Sequence, residues 1–430
     1  MITDFKEAEE YILDIPRFGG KNTLEDTKEF LKECGDISKD IPTIHIAGTN
    51  GKGSVCALLR DTFIEAGYTP AVFTSPHLVS IKERFTIGRT EISEEEFLDC
   101  FNKVCELTKK EPFASKGYHP SYFEFLFFMA MLWFKEKKPD VVILETGLGG
   151  RLDATNSIES PVLTIITEIG FDHTEYLGNT IEEIAFEKAG IIKKNVPLVY
   201  MQKEHSAPVI EKRAKELDAK TFPVSKDYIK NLKVSTKGID FSFESPYYEN
   251  VNLSLKARAL YQSENGAVAF CALNLLRTGD IFDISDDDIR RGFYNMYWPG
   301  RMEETEKNIF LDGAHNEDGI KAFLESVAKD GAKARRLLFT AVSDKNVEKI
   351  TEMIAKSALF DHVYTAPLQS YRAVSIERLV SAFERCNVSV VTYESTVLAF
   401  KAMREEMKPG ETGYVAGSLY LVGEIKDSLL

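Results

Sequence analysis

The sequence predicts an α/β protein with two domains, each built on a mainly parallel sheet covered by helices. From Ile41 onward, short β-branched or apolar runs alternate with longer amphipathic stretches, a pattern typical of parallel strands joined by helices. Residues 232–255 interrupt this pattern with alternating runs separated by turn residues, which predicts a small antiparallel β region. A second strand–helix series begins after Trp298. We therefore expect one domain over residues 1–297 and another over residues 298–430.

The first series supplies the strands of the N-terminal domain. Each candidate strand is a short run rich in β-branched or apolar residues, at residues 43–47, 71–74, 141–145, 162–167 and 198–201. Helices are predicted at about residues 262–276 and 285–295, and the second opens on an aspartate-rich turn that suits the helix dipole. The first strand leads into a glycine-rich turn and a helix, so this domain is predicted to have a P-loop-type sheet.

The second series starts after the sequence Trp298-Pro299-Gly300-Arg301, which ends the preceding helical pattern. Its candidate strands are separated by helix-length segments and lie at residues 309–312, 336–341, 362–366, 389–393 and 414–416. This regular alternation predicts a Rossmann-like α/β C-terminal domain.

The composition is that of an ordinary soluble globular chain, with 44% apolar and 28% charged residues among 430. A formal net charge of −14 without a cluster of Lys and Arg argues against nucleic-acid binding. The longest nearly apolar stretch, residues 122–133, contains Glu124 and is shorter than the ~20 residues that span a bilayer. Six scattered cysteines without a CxxC pair predict reduced thiols, and the N-terminus lacks a secretory signal. We expect a cytoplasmic protein without a membrane span.

A phosphate-binding loop is predicted between the first strand and a helix that is expected to begin at Val55. The loop residues are Gly48, Thr49, Asn50, Gly51, Lys52, Gly53 and Ser54. Glycines let backbone amides turn toward a phosphate, Lys52 can reach the terminal phosphates, and Ser54 can ligate Mg²⁺. The match to the standard P-loop is imperfect, because Gly53 separates the lysine from the hydroxyl residue. The alternative is a glycine-rich turn with a chance lysine.

The loop sequence GTNGKGS resembles the ATP loop of the Mur ligase superfamily, specifically of its folylpolyglutamate synthase and dihydrofolate synthase branch. Further segments resemble the same branch: FTSPHL at residues 73–78, ETGLGGRLDATN at 145–156, DH at 172–173 with LG at 177–178, EKAG at 187–190, WPGR at 298–301, DGAHN at 312–316 and GSLYLVG at 417–423. Together these segments cover nearly the whole chain, and their order and spacing also resemble those of this branch. The resemblance implies a ligase that uses ATP to add L-glutamate to a folate, to dihydropteroate, or to both, through an acyl phosphate.

A divalent-metal site is expected at the carboxyl edge of the first sheet. Glu145 ends a predicted strand and His173 follows another at the same edge, where ligands of open α/β folds bind. Together with the hydroxyls of Ser54 and Ser75 they offer ligands that suit Mg²⁺. The resemblance assigns Ser75, Glu145 and His173 to metal binding. Taken alone, His173 is more typical of a hydrogen-bonded loop histidine.

Lys188 is predicted to lie on the apolar face of a helix. Thr180 and Glu183 form a capping box, and the helix that follows places Lys188 on the same face as Ile181 and Ile184. A buried ammonium must meet an anion, lose its proton or be chemically changed. In the family this lysine is typically carbamylated and helps to hold a second metal ion, so the resemblance implies two Mg²⁺ sites. A lysine that extends to solvent from the helix end is the alternative.

The resemblance also assigns residues to ATP outside the loop. It implies that Arg301 contacts phosphate, that Asp312 contacts ribose, and that Asn265 lies toward the adenine, with His315 also at the nucleotide. The site would then lie between the two domains, and domain closure would be needed to assemble it. Taken alone, His315 is also typical of a residue that caps a helix.

Binding of the folate or pteroate acceptor is implied for two residues of a phenylalanine-rich helix and for one loop: Phe123, Glu124, Leu152, Asp153 and Ala154. Other apolar residues of that helix are expected to form core: Phe125, Leu126, Phe128 and Leu132. Ser418 is a candidate for the glutamate side.

Four residues are therefore expected to carry catalysis: Lys52, Glu145, His173 and Lys188. The expected partners are ATP, L-glutamate and a folate or dihydropteroate, and the expected state is a monomer. A muramoyl-peptide ligase is one alternative, but those enzymes carry a further domain on the order of a hundred residues before the loop, whereas 47 residues precede Gly48 here. A nucleotide-dependent switch without ligase activity is the other alternative.

Overall fold

Two units of α/β structure make up the chain, which confirms the predicted fold class. The computed structural model describes residues 1–16, 22–235, 238–246, 248–343, 345–370 and 372–430. One unit comprises residues 1–228 and 265–296, and the other comprises residues 229–264 and 297–430. The domain boundary at residue 298 stays a prediction.

The first unit contains an eight-stranded sheet. Its strands are β1 Thr43–Ala47, β2 Pro70–Phe73, β3 Phe85–Ile87, β4 Thr90–Glu91, β5 Val141–Glu145, β6 Leu163–Ile166, β7 Leu198–Met201 and β8 Thr221–Val224. The strand order is β4-β3-β2-β5-β1-β6-β7-β8. Strand β3 pairs antiparallel with both β2 and β4, and the other neighbours pair parallel. All five predicted strands of this unit are present with small shifts at their ends, whereas β3, β4 and β8 were not predicted.

Strand β1 lies at the point where the strand order reverses, between β5 and β6. In the register, Ile46 of β1 pairs with Glu145 of β5, and Ala47 pairs with Ile166 of β6. The carboxyl ends of these three parallel strands therefore meet at one edge. Open α/β sheets bind their ligands in the crevice at such a position.

Helices surround this sheet: α1 Phe5–Asp14, α2 Leu24–Cys34, α3 Lys52–Glu65, α4 Glu94–Leu107, α5 Phe113–Lys116, α6 Tyr122–Lys137, α7 Thr174–Leu177, α8 Ile181–Ala189, α9 Ala207–Glu216, α10 Gln262–Thr278 and α11 Asp286–Asn295. Short 3₁₀ turns occur at Ile37–Lys39, Ile81–Arg84, Ala154–Ser157 and Lys226–Tyr228. The predicted capping box of Thr180 and Glu183 opens α8. In α6, Phe125, Leu126 and Phe128 are fully buried, as predicted for core residues, and Leu132 is partly buried.

The second unit contains two sheets. Strands β9 Ile229–Ser235, β10 Gly238–Ser245 and β11 Tyr248–Leu255 form the predicted antiparallel region. The other sheet has strands β12 Arg301–Glu306, β13 Ile309–Asp312, β14 Ala334–Phe339, β15 His362–Thr365, β16 Val390–Thr392 and β17 Glu411–Ala416, in the order β12-β13-β17-β14-β15-β16. Strand β12 is antiparallel to β13 at the edge, and the remaining pairs are parallel.

The helices of the second unit are α12 Glu317–Val327, α13 Val347–Ser357, α14 Ile376–Glu384, α15 Thr396–Glu406 and α16 Leu419–Asp427. Strands β13 and β17 pair and end at Asp312 and Ala416. The loops that carry His315 and Ser418 therefore leave the same edge of the sheet, and the amide of Gly417 donates to the carbonyl of Ala314 at 2.9 Å.

The six cysteines, all within the described ranges, form no disulfide, in agreement with the prediction of reduced thiols. Burial raises the pKa of the Cys56 thiol well above its usual range, so this group stays protonated. In the described part of the chain, no helix is both long and apolar enough to cross a bilayer.

Candidate active site

The phosphate loop joins β1 to α3 through two glycines in conformations that other residues avoid. Gly48 has a φ of 152° and Gly51 a φ of 90°. A Cβ on Gly48 would lie 1.8 Å from the hydroxyl oxygen of Thr167, so a side chain cannot be accommodated. Helix α3 begins at Lys52, earlier than predicted, which places Lys52 and Ser54 in its first turn. Backbone amides and the helix dipole favour an anion at this position.

The segment after β6 holds the loop in place. The amides of Thr49 and Asn50 donate to the carbonyl of Glu168 at 2.7 and 3.3 Å. The hydroxyl of Thr167 donates to the carbonyl of Asn50 at 2.7 Å, and the hydroxyl of Thr49 donates to the carbonyl of Gly170 at 3.0 Å. Thr167, Glu168 and Gly170 were not predicted as site residues from the sequence. The hydrogen bonds hold the loop in one conformation, so a bound phosphate has less ordering cost to overcome.

Asn265, expected near the adenine, lies on α10 beside the loop. A Cβ on Gly51 would lie 2.2 Å from the side-chain oxygen of Asn265, so the two residues are closely packed. The side chain of Asn265 is buried. The structure therefore places Asn265 at the phosphate loop, and its contact with adenine stays a prediction.

Lys52 and Glu145 form an ion pair beside the loop, with the ammonium nitrogen 3.8 Å from Oε1 of the carboxylate. Lys52 also donates to the carbonyls of Gly48 and Thr49 at 3.2 and 3.3 Å. The second carboxylate oxygen of Glu145 accepts from the backbone amide of Ser75 at 3.2 Å. Glu145 is only 3% exposed. The structure thus brings three of the predicted site residues into direct contact at the edge of the sheet.

Lys188 reaches the same loop from α8. Its side-chain nitrogen donates to the carbonyl of Gly48 at 2.7 Å, and the residue is 4% exposed. Burial lowers the pKa of Lys188 to about 7, and the positive charge of Lys52 acts in the same direction, while Asp172 and Asp153 oppose it. The alternative of a lysine extending into solvent is therefore wrong. At neutral pH a large fraction of this side chain is an uncharged amine.

His173 follows β6 and adopts a left-handed conformation with a φ of 50° at the start of α7. Its backbone amide donates to the carboxylate of Asp172 at 2.9 Å. Its Nε2 lies 3.9 Å from the same carboxylate oxygen, and about a third of the side chain is exposed, at 36%. The position at the sheet edge agrees with the expected placement. Its role as a metal ligand stays a prediction.

The polar groups beside the loop include oxygen donors of the kind that Mg²⁺ prefers. Within the described ranges, no three His, Cys, Asp or Glu side chains are grouped so that they could hold a metal ion. Mg²⁺ usually takes one or two carboxylates and completes its shell with waters and substrate phosphates. The carboxylate of Glu145 and the buried hydroxyl of Ser54 are hard oxygen donors of this kind. These residues fit an ion shared with a triphosphate.

The loop that follows β5 is closed by Asp153. Its Oδ2 accepts from the amide of Leu148 at 2.8 Å, and its Oδ1 accepts from the amide of Thr155 at 3.1 Å. Burial raises the pKa of the Asp153 carboxyl, and these hydrogen bonds oppose the rise. Leu152 is 66% exposed and Ala154 is buried. The Asp153 side chain is thus engaged within its own loop, and acceptor binding by Leu152, Asp153 and Ala154 stays a prediction.

Phe123 and Glu124, on the first turn of α6, point to different surroundings. A Cβ on Gly147 would lie 2.6 Å from the ring of Phe123, so this ring packs over the loop after β5. The carboxylate of Glu124 accepts from the amide of Ser121 at 2.7 Å, from the hydroxyl of Thr27 at 2.8 Å and from the side chain of Asn22 at 2.9 Å. The ring of Phe123 thus lies against the loop after β5, whereas Glu124 ties α2 to α6. Acceptor binding by either residue stays a prediction.

Asp312 is the centre of a polar cluster in the second unit. Its carboxylate accepts from the hydroxyl of Tyr261 at 2.7 Å, from the amide of Met302 at 2.9 Å and from the amide of Ala314 at 2.8 Å. Burial raises the pKa of the Asp312 carboxyl, and the Arg301 guanidinium and the Tyr261 hydrogen bond oppose the rise. Tyr261 was not predicted as a site residue, although Tyr261 immediately precedes the segment that carries Asn265.

Arg301, His315 and Ser418 lie around the same sheet edge. A Cβ on Gly313 would lie 2.2 Å from the Arg301 guanidinium, and Nδ1 of His315 is 2.7 Å from the carbonyl of Gly313. Asn316, not His315, is the residue that caps α12. Ser418 caps α16 by accepting from the amide of Tyr420 at 3.1 Å. The roles of these residues toward ATP and glutamate stay predictions.

Comparison with known protein families identifies both halves of the chain. Residues 46–273 match the Mur ligase middle domain, and residues 300–419 match the Mur ligase glutamate ligase domain. The chain is 36% identical to a dihydrofolate synthase/folylpolyglutamate synthase of Bacillus subtilis over 440 aligned positions, which cover 100% of both chains.

Solved structures are similar over the same extent. The folylpolyglutamate synthase of Thermotoga maritima is 32% identical with a TM-score of 0.82, over 99% of this chain and 96% of that one. The Escherichia coli protein FolC, solved in complex with DHPP and ADP, is 27% identical with a TM-score of 0.86, over 99% and 98% of the two chains.

Proposed function

Since the chain belongs to the dihydrofolate synthase/folylpolyglutamate synthase family of Mur ligases, we propose that it couples ATP hydrolysis to the addition of L-glutamate to a folate, to dihydropteroate, or to both. The relatives that support this proposal span the whole chain, so it concerns the complete ligase reaction and not one half of it. The chain is an ATP-dependent ligase by the same relationship.

The observation that carries the proposal is the meeting of three ionisable side chains at the phosphate loop. Lys52 pairs with Glu145 at 3.8 Å, and Lys188 donates to the carbonyl of Gly48 at 2.7 Å. An acid ligase must bring a substrate carboxylate toward a triphosphate, and this repulsion is roughly 4 kcal/mol per charge pair at about 4 Å with an effective dielectric near 20. The Lys52 ammonium beside a preformed loop offsets that repulsion.

The reaction then proceeds in two displacements. A carboxylate oxygen of the acceptor attacks the γ-phosphorus of ATP, and ADP leaves with the electron pair of the broken P–O bond. The amine of glutamate then attacks the acyl carbon, loses a proton, and phosphate leaves with the electron pair of the C–O bond. The loop amides and Lys52 hold the phosphates, Arg301 and Asp312 hold phosphate and ribose, and Ser418 contributes to the glutamate side.

Mg²⁺ is proposed to be held by Glu145, His173, Ser54 and Ser75, with Lys188 contributing to a second ion. Bound there, the ions would neutralise charge that develops on the phosphate oxygens. Lys188 is proposed to be carbamylated. Its uncharged amine can attack the carbon of CO₂, and loss of one proton gives a carbamate with one negative charge. The lowered pKa of about 7 favours this reaction, because an ordinary lysine is almost fully protonated at neutral pH.

Acceptor binding is proposed for Phe123, Glu124, Leu152, Asp153 and Ala154, of which Phe123 has the strongest support, because its ring covers the loop after β5. The nucleotide roles of Asn265 and His315 are proposed on the family relationship and on their positions near the loop and near Gly313. We also propose that the protein is cytoplasmic and monomeric, and that its domain boundary lies at residue 298.

The test is phosphate release from ATP by the purified protein with L-glutamate, comparing dihydropteroate with tetrahydrofolate as acceptor. We expect release to require both glutamate and one of these acceptors, with ADP formed in equal amount. Release that needs a muramoyl peptide instead would identify the other Mur ligase activity. ATP binding without any acceptor-dependent release would favour the nucleotide-dependent switch.

A further inference from the structure

Three polar side chains lie in a row beneath the loop that follows β5. His45 is on β1, Thr155 is in the 3₁₀ turn Ala154–Ser157, and Asp153 precedes that turn. The hydroxyl oxygen of Thr155 is 2.5 Å from Oδ1 of Asp153 and 2.8 Å from Nε2 of His45. His45 and Thr155 are fully buried, and Asp153 is 6% exposed. The row links the central strand of the sheet to the loop.

The available protons define the direction of these hydrogen bonds. The hydroxyl of Thr155 has one proton, and the short distance to the Asp153 carboxylate assigns that proton to this bond. Nε2 of His45 must then donate to Thr155. Burial lowers the pKa of His45 to about 3, so the ring is neutral and its single proton is on Nε2. Nδ1 is left as a buried acceptor without a partner among the described residues, which costs less than a buried N–H without one.

Asp153 connects His45 and Thr155 to the loop that follows β5. Its other oxygen accepts from the amide of Leu148 at 2.8 Å, so the carboxylate connects the end of the loop to its middle. On the far side, the amide of Arg151 donates to the carbonyl of Glu187 at 2.7 Å. A Cβ on Gly150 would lie 2.9 Å from the carbonyl of Lys188. The loop is therefore fixed between the end of β5, which carries Glu145, and helix α8, which carries Lys188.

We propose that Thr155 and His45 are positioning residues for the ligase reaction, because through Asp153 they fix the loop of residues 146–153 beside Glu145 and Lys188. The inference rests on the proposed function and adds two residues that the sequence motifs do not assign to catalysis. Both side chains are fully buried, so they act on the loop through Asp153. Their effect is to keep the loop in one conformation, and a small displacement of groups next to a reacting centre is costly for rate.

The test compares Thr155→Val, which keeps the shape and removes the hydroxyl, with Thr155→Ser, which keeps the hydroxyl. We expect kcat/KM for the acceptor to fall roughly tenfold in Thr155→Val and to stay within about twofold of the wild type in Thr155→Ser, as for loss and retention of a hydrogen bond to a charged group. The KM for ATP should not change, since the phosphate loop is held by Thr167 and Glu168 instead. Amide hydrogen exchange at Leu148 should become faster in Thr155→Val only.

Thr43→Val is the matched control. Thr43 is fully buried on the same strand as His45, at the end away from the phosphate loop, and its hydroxyl donates to the carbonyl of Ile41 at 3.1 Å. Its loss should lower the melting temperature without changing kcat/KM. Equal activity of Thr155→Val and wild type, equal impairment of Thr155→Val and Thr155→Ser, or equal impairment of Thr155→Val and Thr43→Val would overturn the inference.

If Thr155→Val does not unfold cooperatively, His45→Gln and His45→Leu replace the Thr155 variants in the test, because the glutamine amide can donate to Thr155 and leucine cannot. We then expect activity in His45→Gln and its loss in His45→Leu, and equal activity of both would reject the inference. If the wild-type protein forms no ADP in response to an acceptor, the proposed function is refuted. The role of Thr155 in holding the loop can still be tested in that case, because amide hydrogen exchange at Leu148 reports on the loop directly.

Discussion

The side-chain nitrogen of Lys188 lies 2.7 Å from the carbonyl oxygen of Gly48, the first residue of the phosphate loop. A lysine on an apolar helix face is thereby directed to the place where the triphosphate is expected. Burial lowers its pKa to about 7, so charged and uncharged forms are both populated at neutral pH. The uncharged form can react with CO₂, which an ordinary surface lysine rarely does.

We predict that Lys188→Met abolishes turnover and keeps the fold. Methionine fills the same space without placing a charge in the apolar surroundings, so the free energy of unfolding should not fall. The ligase reaction loses the group that reaches Gly48, and phosphate release with ATP, glutamate and acceptor should drop at least a hundredfold, which is about 3 kcal/mol of transition-state stabilisation. Far-ultraviolet circular dichroism should match the wild type.

Lys193→Met is the control for this experiment. Lys193 resembles Lys188 in two respects, since burial lowers its pKa to about 8 and its nitrogen donates to a backbone carbonyl, that of Asn156, at 2.9 Å. It does not contact the phosphate loop. Comparable loss of activity in both variants would contradict the prediction, because it would show that activity requires a buried lysine in general and not the contact of Lys188 with Gly48.

The pH dependence of stability gives an independent measure of the Lys188 pKa. Below about pH 7 the side chain is protonated in both the folded and unfolded states, and the cost of burying the charge is present in full. Between pH 7 and 10.5 only the unfolded state binds this proton, so the free energy of unfolding rises with pH. Relative to Lys188→Met in CO₂-free buffer, the rise should be at most about 1.4 kcal/mol per pH unit. A constant difference between the two proteins over this window would contradict the prediction.

Substitution of the two glycines at the ends of α3 distinguishes the effect of backbone strain from the effect of contact with the site. Gly51 and Gly67 have φ angles of 90° and 86°, but a Cβ on Gly67 meets nothing within 4 Å, whereas one on Gly51 would lie 2.2 Å from Asn265. Gly67→Ala should lower the free energy of unfolding by about 1 kcal/mol, the cost of a left-handed residue, and leave the KM for ATP unchanged. Gly51→Ala should cost more and raise the KM for ATP. Denaturant unfolding and initial rates check both effects, and equal behaviour of the two variants would refute this account.

Local signals allowed most of this architecture to be predicted from the sequence. The spacing of Ile181, Ile184 and Lys188 defines one helix face, and a capping box fixes where that helix begins, so the burial of Lys188 followed from neighbouring residues alone. Strand β8 was missed because it contains Pro223, and proline is tolerated in a sheet only at an edge, which is where β8 lies. The start of α3 at Lys52 was missed because Gly53 is a poor helix former.

Long-range hydrogen bonds could not be predicted in the same way. The bond from Lys188 to Gly48 spans 140 positions, and the bonds from Thr27 and Asn22 to Glu124 span 97 and 102. Which side chain satisfies a buried carboxylate depends on how elements pack, and no local pattern contains that information. The resemblance implies acceptor binding for Glu124 but does not reveal the contacts that its carboxylate makes.

Tyr261 is predicted to keep Asp312 ready to accept from a ribose hydroxyl. Its hydrogen bond at 2.7 Å opposes the rise in the pKa of Asp312 that burial causes, so Tyr261→Phe should raise that pKa further. The KM for ATP should increase roughly tenfold, as for loss of a hydrogen bond to a charged group, and the loss of ATP affinity on acidification should begin at a higher pH. Tyr414→Phe is the control, since it removes a similar 2.5 Å bond to Asp330. It should lower stability only, and an ATP effect of equal size in both variants would refute the prediction.

The route through an acyl phosphate can be tested by following one oxygen atom. If a carboxylate oxygen of the acceptor forms the bond to the γ-phosphorus, that oxygen stays on phosphorus when the glutamate amine breaks the C–O bond. An acceptor labelled with ¹⁸O in its carboxylate should therefore give phosphate that carries one label atom, as seen in its ³¹P spectrum or mass. The Lys188→Met protein under the same conditions should release none. Phosphate without label, formed together with the amide product, would show that the carboxylate oxygen never reaches phosphorus, and the roles proposed for Lys52 and Glu145 would then have to be reassigned.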